Sequence, residues 1–235
     1  MLINKQTQAI IQQLKDISEG IVFQYPVTYI HDAARSINAY IDMEALNNEP
    51  FETFGIIKIN EFFDLLKIID SKDTDISLNN DTIEIRSSKI NANYITTDLR
   101  VFGDYNFDIR PCNNGRNGEA CAEFLLENKE LDMIKKTSSL LSLENLVLTI
   151  KNGAVNVSVS SDASDNNNMT ISVSNVKNTQ GNHSLAISMG NIRKLPAGNY
   201  IVRVVENKHN PGIYVIALIP ENISPLTILI STLAI

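Results

Sequence analysis

The chain has 235 residues, 43% apolar and 20% charged, with 10 glycines and 7 prolines. This is enough for a true core in one large domain or two ordinary ones, and it excludes disordered and collagen-like chains. The formal net charge of −7 argues, as an average, against a polyanionic partner, so the distribution of charge has to decide.

The segment Asn4–Asp16 reads as a helix. Ile3, Thr7, Ile10, Ile11 and Leu14 share one face, and Lys5, Gln8, Gln12 and Lys15 the other. After Gly20 come short strand-like runs, Ile21–Phe23, Val27–Ile30 and Ile37–Ile41. Phe54–Ile59 is apolar and strand-like, and Asn60 then stands where a helix N-cap belongs. Glu61–Asp70 continues as a helix with Phe62, Leu65, Leu66 and Ile69 inward. A hairpin follows, DISL and TIEIR about Asn79-Asn80-Asp81, because Asn and Asp tolerate the left-handed angles of a tight turn. Ala92–Thr97 is a further strand.

Leu99–Glu119 breaks the pattern with two Asn-Gly pairs and reads as an irregular connector. Beyond it the order recurs: strand Glu123–Leu126, cap Asn128, helix Lys129–Leu141, then a hairpin of LVLTI and AVNVSVS about Asn152-Gly153. A polar loop, Asp162–Asn168, precedes a strand over Met169–Val176. A third unit has a strand at Leu185–Ser188, a short helix near Met189–Leu195, and NYIVRVV joined to IYVIALI through Asn210-Pro211-Gly212. The apolar tail Leu226–Ile235 receives no assignment; it is too short to cross a membrane.

The recurrence extends to single letters. Asn60-Glu-Phe-Phe63-Asp64-Leu65-Leu66-Lys67 aligns with Asn128-Lys-Glu-Leu131-Asp132-Met133-Ile134-Lys135, each word after a strand and before a hairpin, and Asn4–Leu14 is a looser copy. The expected fold is therefore α+β: two similar domains, each with two helices packed on antiparallel sheets. The expected boundaries are 1–98, a connector over 99–119, and 120–235.

The sequence contains no P-loop, no G-x-G-x-x-G and no G-x-S-x-G. His31, His183 and His209 are scattered, and Asp162 and Asp165 fall short of a calcium loop. Cys112 and Cys121 have no metal spacing and read as free thiols. The first residues, MLINKQTQAIIQQLKDI, lack the unbroken apolar stretch of a secretory signal, so the sequons at Asn168, Asn182 and Asn222 have no secretory route. A non-enzymatic cytoplasmic chain without metal, cofactor or membrane partner is expected.

Charge is unevenly spread. The stretches 4–16, 60–72, 128–141 and 188–195 hold nine basic residues, Lys5, Lys15, Lys67, Lys72, Lys129, Lys135, Lys136, Arg193 and Lys194, against six acidic ones. They carry +3, which leaves −10 on the rest of the chain. A polyanion is thus expected along the helices and nowhere else, although polar helix faces collect lysines in any case and Glu61, Asp64 and Asp132 dilute the signal.

The chain resembles the sliding clamps of tailed bacteriophages, polymerase processivity factors similar in fold to the cellular proliferating-cell clamp. The resemblance rests on the opening L-x-N-K-x-T helix with Ile17-Ser18-Glu19-Gly20-Ile21, on Leu146–Val157 with its turn, and on Asn191-Ile-Arg-Lys-Leu-Pro196-Ala-Gly198-Asn199-Tyr200. It implies a homotrimeric ring that slides on duplex DNA without reading sequence, and that meets a DNA polymerase and a clamp loader in the cytoplasm of an infected bacterium. The nine basic residues above would face phosphates. Partner peptides would dock beside the connector, where Val101, Phe102, Tyr105, Phe107 and Ile109 form an apolar cluster; pinning the connector to its domain is the competing role for these rings. Subunits would join through Ala92–Thr97 and Met169–Val176, with Ile95, Thr96, Ile171 and Ser172 at the joint. A structural or adhesive β-rich phage protein is the alternative, and an enzyme with an unrecognised site a third reading.

Overall fold

The computed structural model describes residues 3–69, 74–103, 109–161, 168–173, 175–207, 210–223 and 225–233. The chain divides into two compact units, residues 1–33 with 39–108, and 34–38 with 109–235.

In the first unit α1 (Lys5–Gln13) precedes β1 (Ile21–Phe23), β2 (Val27–His31), β3 (Ile37–Asp42) and β4 (Phe54–Ile56). Then come α2 (Ile59–Ile69), β5 (Asp75–Asn79), β6 (Thr82–Arg86) and β7 (Asn91–Ile95). α1 starts at Asn4, whose Oδ1 accepts the Thr7 N–H at 2.9 Å. Asn48 locks this cap: its Oδ1 accepts the Asn4 N–H at 3.1 Å, and its Nδ2 donates to Thr7 Oγ1 at 2.8 Å. Ile3, Thr7, Ile10, Ile11 and Leu14 are all buried.

α2 departs from expectation at its start. It begins at Ile59, and the Phe62 N–H bonds Lys58 O, so Asn60 lies exposed inside the first turn and is not the cap. Phe63 is buried where Leu65 was expected to be; Leu65 is half-exposed. Strands run β4–β1–β2–β3 in one sheet, and β5–β6–β7 form a second, three-stranded sheet turning at Asn80, with φ 52°. Ile76, Ile83 and Ile85 face inward.

The second unit holds α3 (Arg110–Asn117), β8 (Ala120–Leu126), α4 (Asn128–Leu140), β9 (Asn145–Lys151), β10 (Ala154–Ser160) and β11 (Asn168–Ser172). It continues with β12 (Val176–Thr179), β13 (His183–Ser188), α5 (Met189–Arg193), β14 (Tyr200–Glu206), β15 (Tyr214–Pro220) and β16 (Leu226–Ser231). β11–β10–β9–β13 form a four-stranded sheet, and β12–β8–β14–β15–β16 run in that order in another.

Three expectations are corrected here, and the tail gains an assignment. The connector is not irregular throughout: Leu99–Phe102 is a 3-10 turn and Arg110–Asn117 a helix, started by Pro111 in its first turn. The cap of α4 is Glu127, in a reciprocal box with Glu130, and not Asn128. Asn128 instead accepts the Gly198 N–H at 2.8 Å, while Asn199 Oδ1 accepts the Asn128 N–H at 2.8 Å. Met169–Val176 is two strands rather than one, since β11 pairs with β10 and β12 with β8. The tail, unassigned from sequence, holds a core strand: β16 pairs antiparallel with β15, and Leu226, Thr227, Ile228, Leu229 and Ile230 are buried.

The repeat has a structural meaning. β8-α4-β9-β10-β11 and β13-α5-β14-β15-β16 are the same β-α-β-β-β module, and they exchange leading strands: β8 pairs with β14, β13 with β9. β4-α2-β5-β6-β7 repeats the order, with β4 paired to β1. Each helix therefore lies between a strand of one sheet and three strands of the other.

Candidate nucleic-acid interface

The helices pack in pairs, α1 with α2 and α4 with α5. Their solvent faces carry most of the basic residues expected to meet phosphate. Lys5 and Lys67 line a hollow of about 240 Å³ together with Gln8, Ala9 and Gln12. Lys15 is exposed just beyond α1. Three lysines are already paired: Lys67 with Asp64 at 2.9 Å, Lys129 with Glu127 at 2.7 Å, and Lys136 with Asp132 at 3.0 Å. The Glu127 carboxylate, hydrogen-bonded to Lys129, raises that ammonium above its ordinary pKa. The three ammonium groups are exposed and only Glu127 among their partners is partly covered, so each pair contributes little and each lysine can exchange its partner for another anion.

Two other cations are used differently. Lys135 is half-buried and donates to Leu195 O at 2.6 Å. Arg193 donates to Leu143 O at 3.2 Å and to Ser138 O at 3.4 Å, fastening α5 to the end of α4. Lys194 is half-buried, and Lys72 lies outside the described residues. Of the expected cluster, Lys5, Lys15, Lys67, Lys129, Lys136 and Arg193 are exposed, and of these Arg193, with the half-buried Lys135, is committed to the unit's own carbonyls.

The connector cluster is also divided. Phe102 is half-buried, and its ring fills a slot between two glycines: a Cβ on Gly55 would come within 2.3 Å of the ring, and one on Gly20 within 3.0 Å. The hollow beside it, lined by Ile21, Tyr29, His31 and Phe102, holds only about 80 Å³. Val101 is exposed, Ile109 stands at the start of α3, and Tyr105 and Phe107 lie outside the described residues. α3 presses Cys112 and Gly115 onto the sheet; a Cβ on Gly115 would meet Leu229 at 2.8 Å. Its C-terminal carbonyls are gathered by Arg203, which donates to Gly115 O at 2.7 Å and Gly118 O at 2.8 Å and pairs with Glu123 at 3.0 Å. Nothing in the polar word RPCNNGRN signals this anchorage.

β7 and β11 end their sheets, and among the described residues no strand pairs with the outer side of either. The Thr96 N–H is bound to Asp81 O at 2.8 Å and Val173 N–H to Val155 O at 3.0 Å. Antiparallel alternation then turns the N–H groups of Asn91, Asn93 and Ile95 outward from β7, and those of Asn168, Thr170 and Ser172 outward from β11. Thr96 spends its donor within its own hairpin. Side chains alternate as well. Tyr94 contacts Phe62 of α2 at 5.1 Å between ring centroids, so it faces the helix and Ile95 faces away. Ile171 stands beside Val157 on the buried face of its sheet. Ile95 and Ile171 thus occupy opposite faces, one away from its helix and one toward it.

Among the described residues no group of His, Cys, Asp and Glu is placed to hold a metal ion. No described helix is long and apolar enough to cross a membrane. Neither a protein-family model nor a curated protein sequence matches this chain. Solved structures do. The proliferating cellular nuclear antigen of Entamoeba histolytica matches with a TM-score of 0.66 at 13% identity, over 97% of this chain and 94% of that one. The A. fulgidus PCNA, solved with the C-terminal region of FEN-1 bound, matches at 0.63 and 10% identity, over 97% and 95%. The DNA polymerase III beta chain of Streptococcus pneumoniae matches at 0.66 and 12% identity, over 97% of this chain and 63% of that one. The fold is the DNA-clamp fold.

Proposed function

We propose that this chain is a sliding clamp: copies join head to tail into a ring around duplex DNA and tether a replicative DNA polymerase. The observation that carries this reading is the clamp fold over 97% of the chain, with a span covering 94% of a PCNA chain but 63% of a bacterial beta chain. The ring is a homotrimer, as the resemblance to the phage clamps implies for a subunit of two similar units. The paired helices with exposed Lys5, Lys15, Lys67, Lys129 and Lys136 support a phosphate-facing lining that makes no base contacts. Val101 and Ile109, with Tyr105 and Phe107, remain the proposed docking ground for a polymerase peptide and the clamp loader, by analogy with the FEN-1 segment on the A. fulgidus protein. The chain acts as a scaffold and not an enzyme. A bacteriophage origin and a cytoplasmic site of action belong to the same proposal.

The test is topological. Loaded on a closed DNA circle, the protein stays bound through gel filtration and is lost when the circle is cut; an ordinary binder is indifferent to the cut. Replacing Lys5, Lys129 and Lys136 together by Glu should abolish processive synthesis with only a small fall in melting temperature, since weak surface ion pairs with Glu127 and Asp132 become weak like-charge contacts. Unaltered processivity at moderate salt would refute the helix lining.

A further inference from the structure

α3 is an intrinsically weak helix held by strong anchors. Its eight residues, RPCNNGRN, include three Asn and one Gly, which have low helix propensity. Its N-cap, Ile109, has no side-chain acceptor, and only Cys112 and Gly115 are buried. Burial of apolar surface therefore holds little of it, and a helix this short does not stand alone in water. Two arginines hold it instead. Arg203 gathers the carbonyls of Gly115, Arg116 and Gly118, at the end of the helix where the dipole is negative. Arg116, inside α3, reaches Thr227 Oγ1 and donates to Leu226 O at 2.9 Å, which hooks the helix to β16.

The seat beneath α3 is laid out in rows across the sheet. Strand register puts Glu123, Arg203, Ala217 and Leu229 side by side on one face of β8, β14, β15 and β16. α3 sits on this row: a Cβ on Gly115 would come within 3.0 Å of Ala217 and 2.8 Å of Leu229. Two residues along each strand, and so on the same face, lie Leu125, Ile201 and Ile219. These three are in register with one another and half-exposed. Ala217 and Leu229 are buried. Lifting α3 would therefore join an apolar row that is already half-open to the apolar end of the row it now covers.

We propose that α3 is an autoinhibitory strap: it opens as a unit while the sheet stays folded, and so controls access to the apolar outer face of the second unit. Closed, it is latched at one end by Arg203 and hooked to β16 by Arg116. Open, it takes the Arg116 hook with it and leaves Arg203, still paired with Glu123 at 3.0 Å, without its three carbonyls. The bared face then combines apolar rows with a guanidinium in need of acceptors, which suits an apolar segment that brings a carboxylate or free carbonyls. A latch made of polar contacts fits this use, because an incoming acceptor can replace each of its bonds in turn, whereas an apolar plug would have to leave whole.

Cys112 reports the opening, because its thiol is buried on the sheet side of α3. The chain has 2 cysteines, so in a Cys121→Ser background Cys112 is the single thiol. Its labelling by an aromatic disulfide reagent is followed at rising urea, with circular dichroism tracking global unfolding. Labelling should proceed far below the unfolding transition and depend only weakly on urea, since local opening exposes little surface. Arg203→Met and Arg116→Leu should each speed it by at least about tenfold. Arg116→Leu acts from the strap's own side and leaves every sheet residue unchanged. That variant should also bind the apolar anion anilinonaphthalene sulfonate, with a rise in fluorescence that the parent chain lacks. Labelling that occurs only with the steep urea dependence of global unfolding, or at the parent rate in both variants, makes α3 a fixed part of the core and overturns the strap. Faster labelling without dye binding overturns the apolar face as what the strap guards.

Discussion

Gly55 shows how one residue type can set a local arrangement. With no Cβ it admits the Phe102 ring against β4, and a methyl group there would sit 2.3 Å from that ring. Gly55→Ala should therefore destabilise the first unit by about 1–3 kcal/mol through overpacking. Most of that cost should vanish in a Phe102→Ala background, a coupling that denaturant unfolding of the four proteins measures. Additive effects would mean that the ring does not occupy the slot. The pinning role weighed for Phe102 is thus the one its geometry supports. Other residues were legible in the sequence only by half. Asn4 was readable as the start of a helix, but its lock by Asn48 joins positions 44 residues apart, which no local pattern records. Asn60 and Asn128 were misjudged because Asn is also acceptable in a first turn, and the carboxylate of Glu127 served as the cap of α4.

At the scale of elements, periodicity succeeded where one face is buried and the other wet. α1, α2, α4 and the hairpins at Asn80 and Asn152 answer to that rule. α3 does not, since its contact with the sheet is made by Cys112 and Gly115 and its end is held by a side chain from β14. Arg203 is 13% exposed at its side chain and Glu123 26%. Breaking such a pair leaves a charge and several carbonyls poorly satisfied, so Arg203→Met should cost about 3 kcal/mol. Hydrogen exchange over residues 110–118 should quicken more than elsewhere. Uniform loss of protection would show that Arg203 supports the sheet and not the helix. β16 escaped assignment for the opposite reason: buried on both faces, it shows no alternation, and an apolar run of its length has no period to read.

At the scale of the whole molecule, assembly depends on which backbone donors point outward. A proline at Thr96 would break the bond to Asp81 inside the hairpin, so its effect mixes folding with assembly. Asn93→Pro and Ser172→Pro remove donors that alternation directs outward and should give folded single chains by light scattering; variants that remain assembled would exclude these edges from the joint. The sequence by itself determined the class of the fold, the repeated module and the concentration of lysines on helices, because burial periodicity and net charge are local sums. Only the tertiary structure decided that Lys135 is spent on the Leu195 carbonyl and Arg193 on that of Leu143, that the tail is a core strand, and that Ile95 and Ile171 face opposite ways. Those outcomes depend on strand register and on partners distant in sequence, and a shift of one residue in register reverses every side chain on a strand.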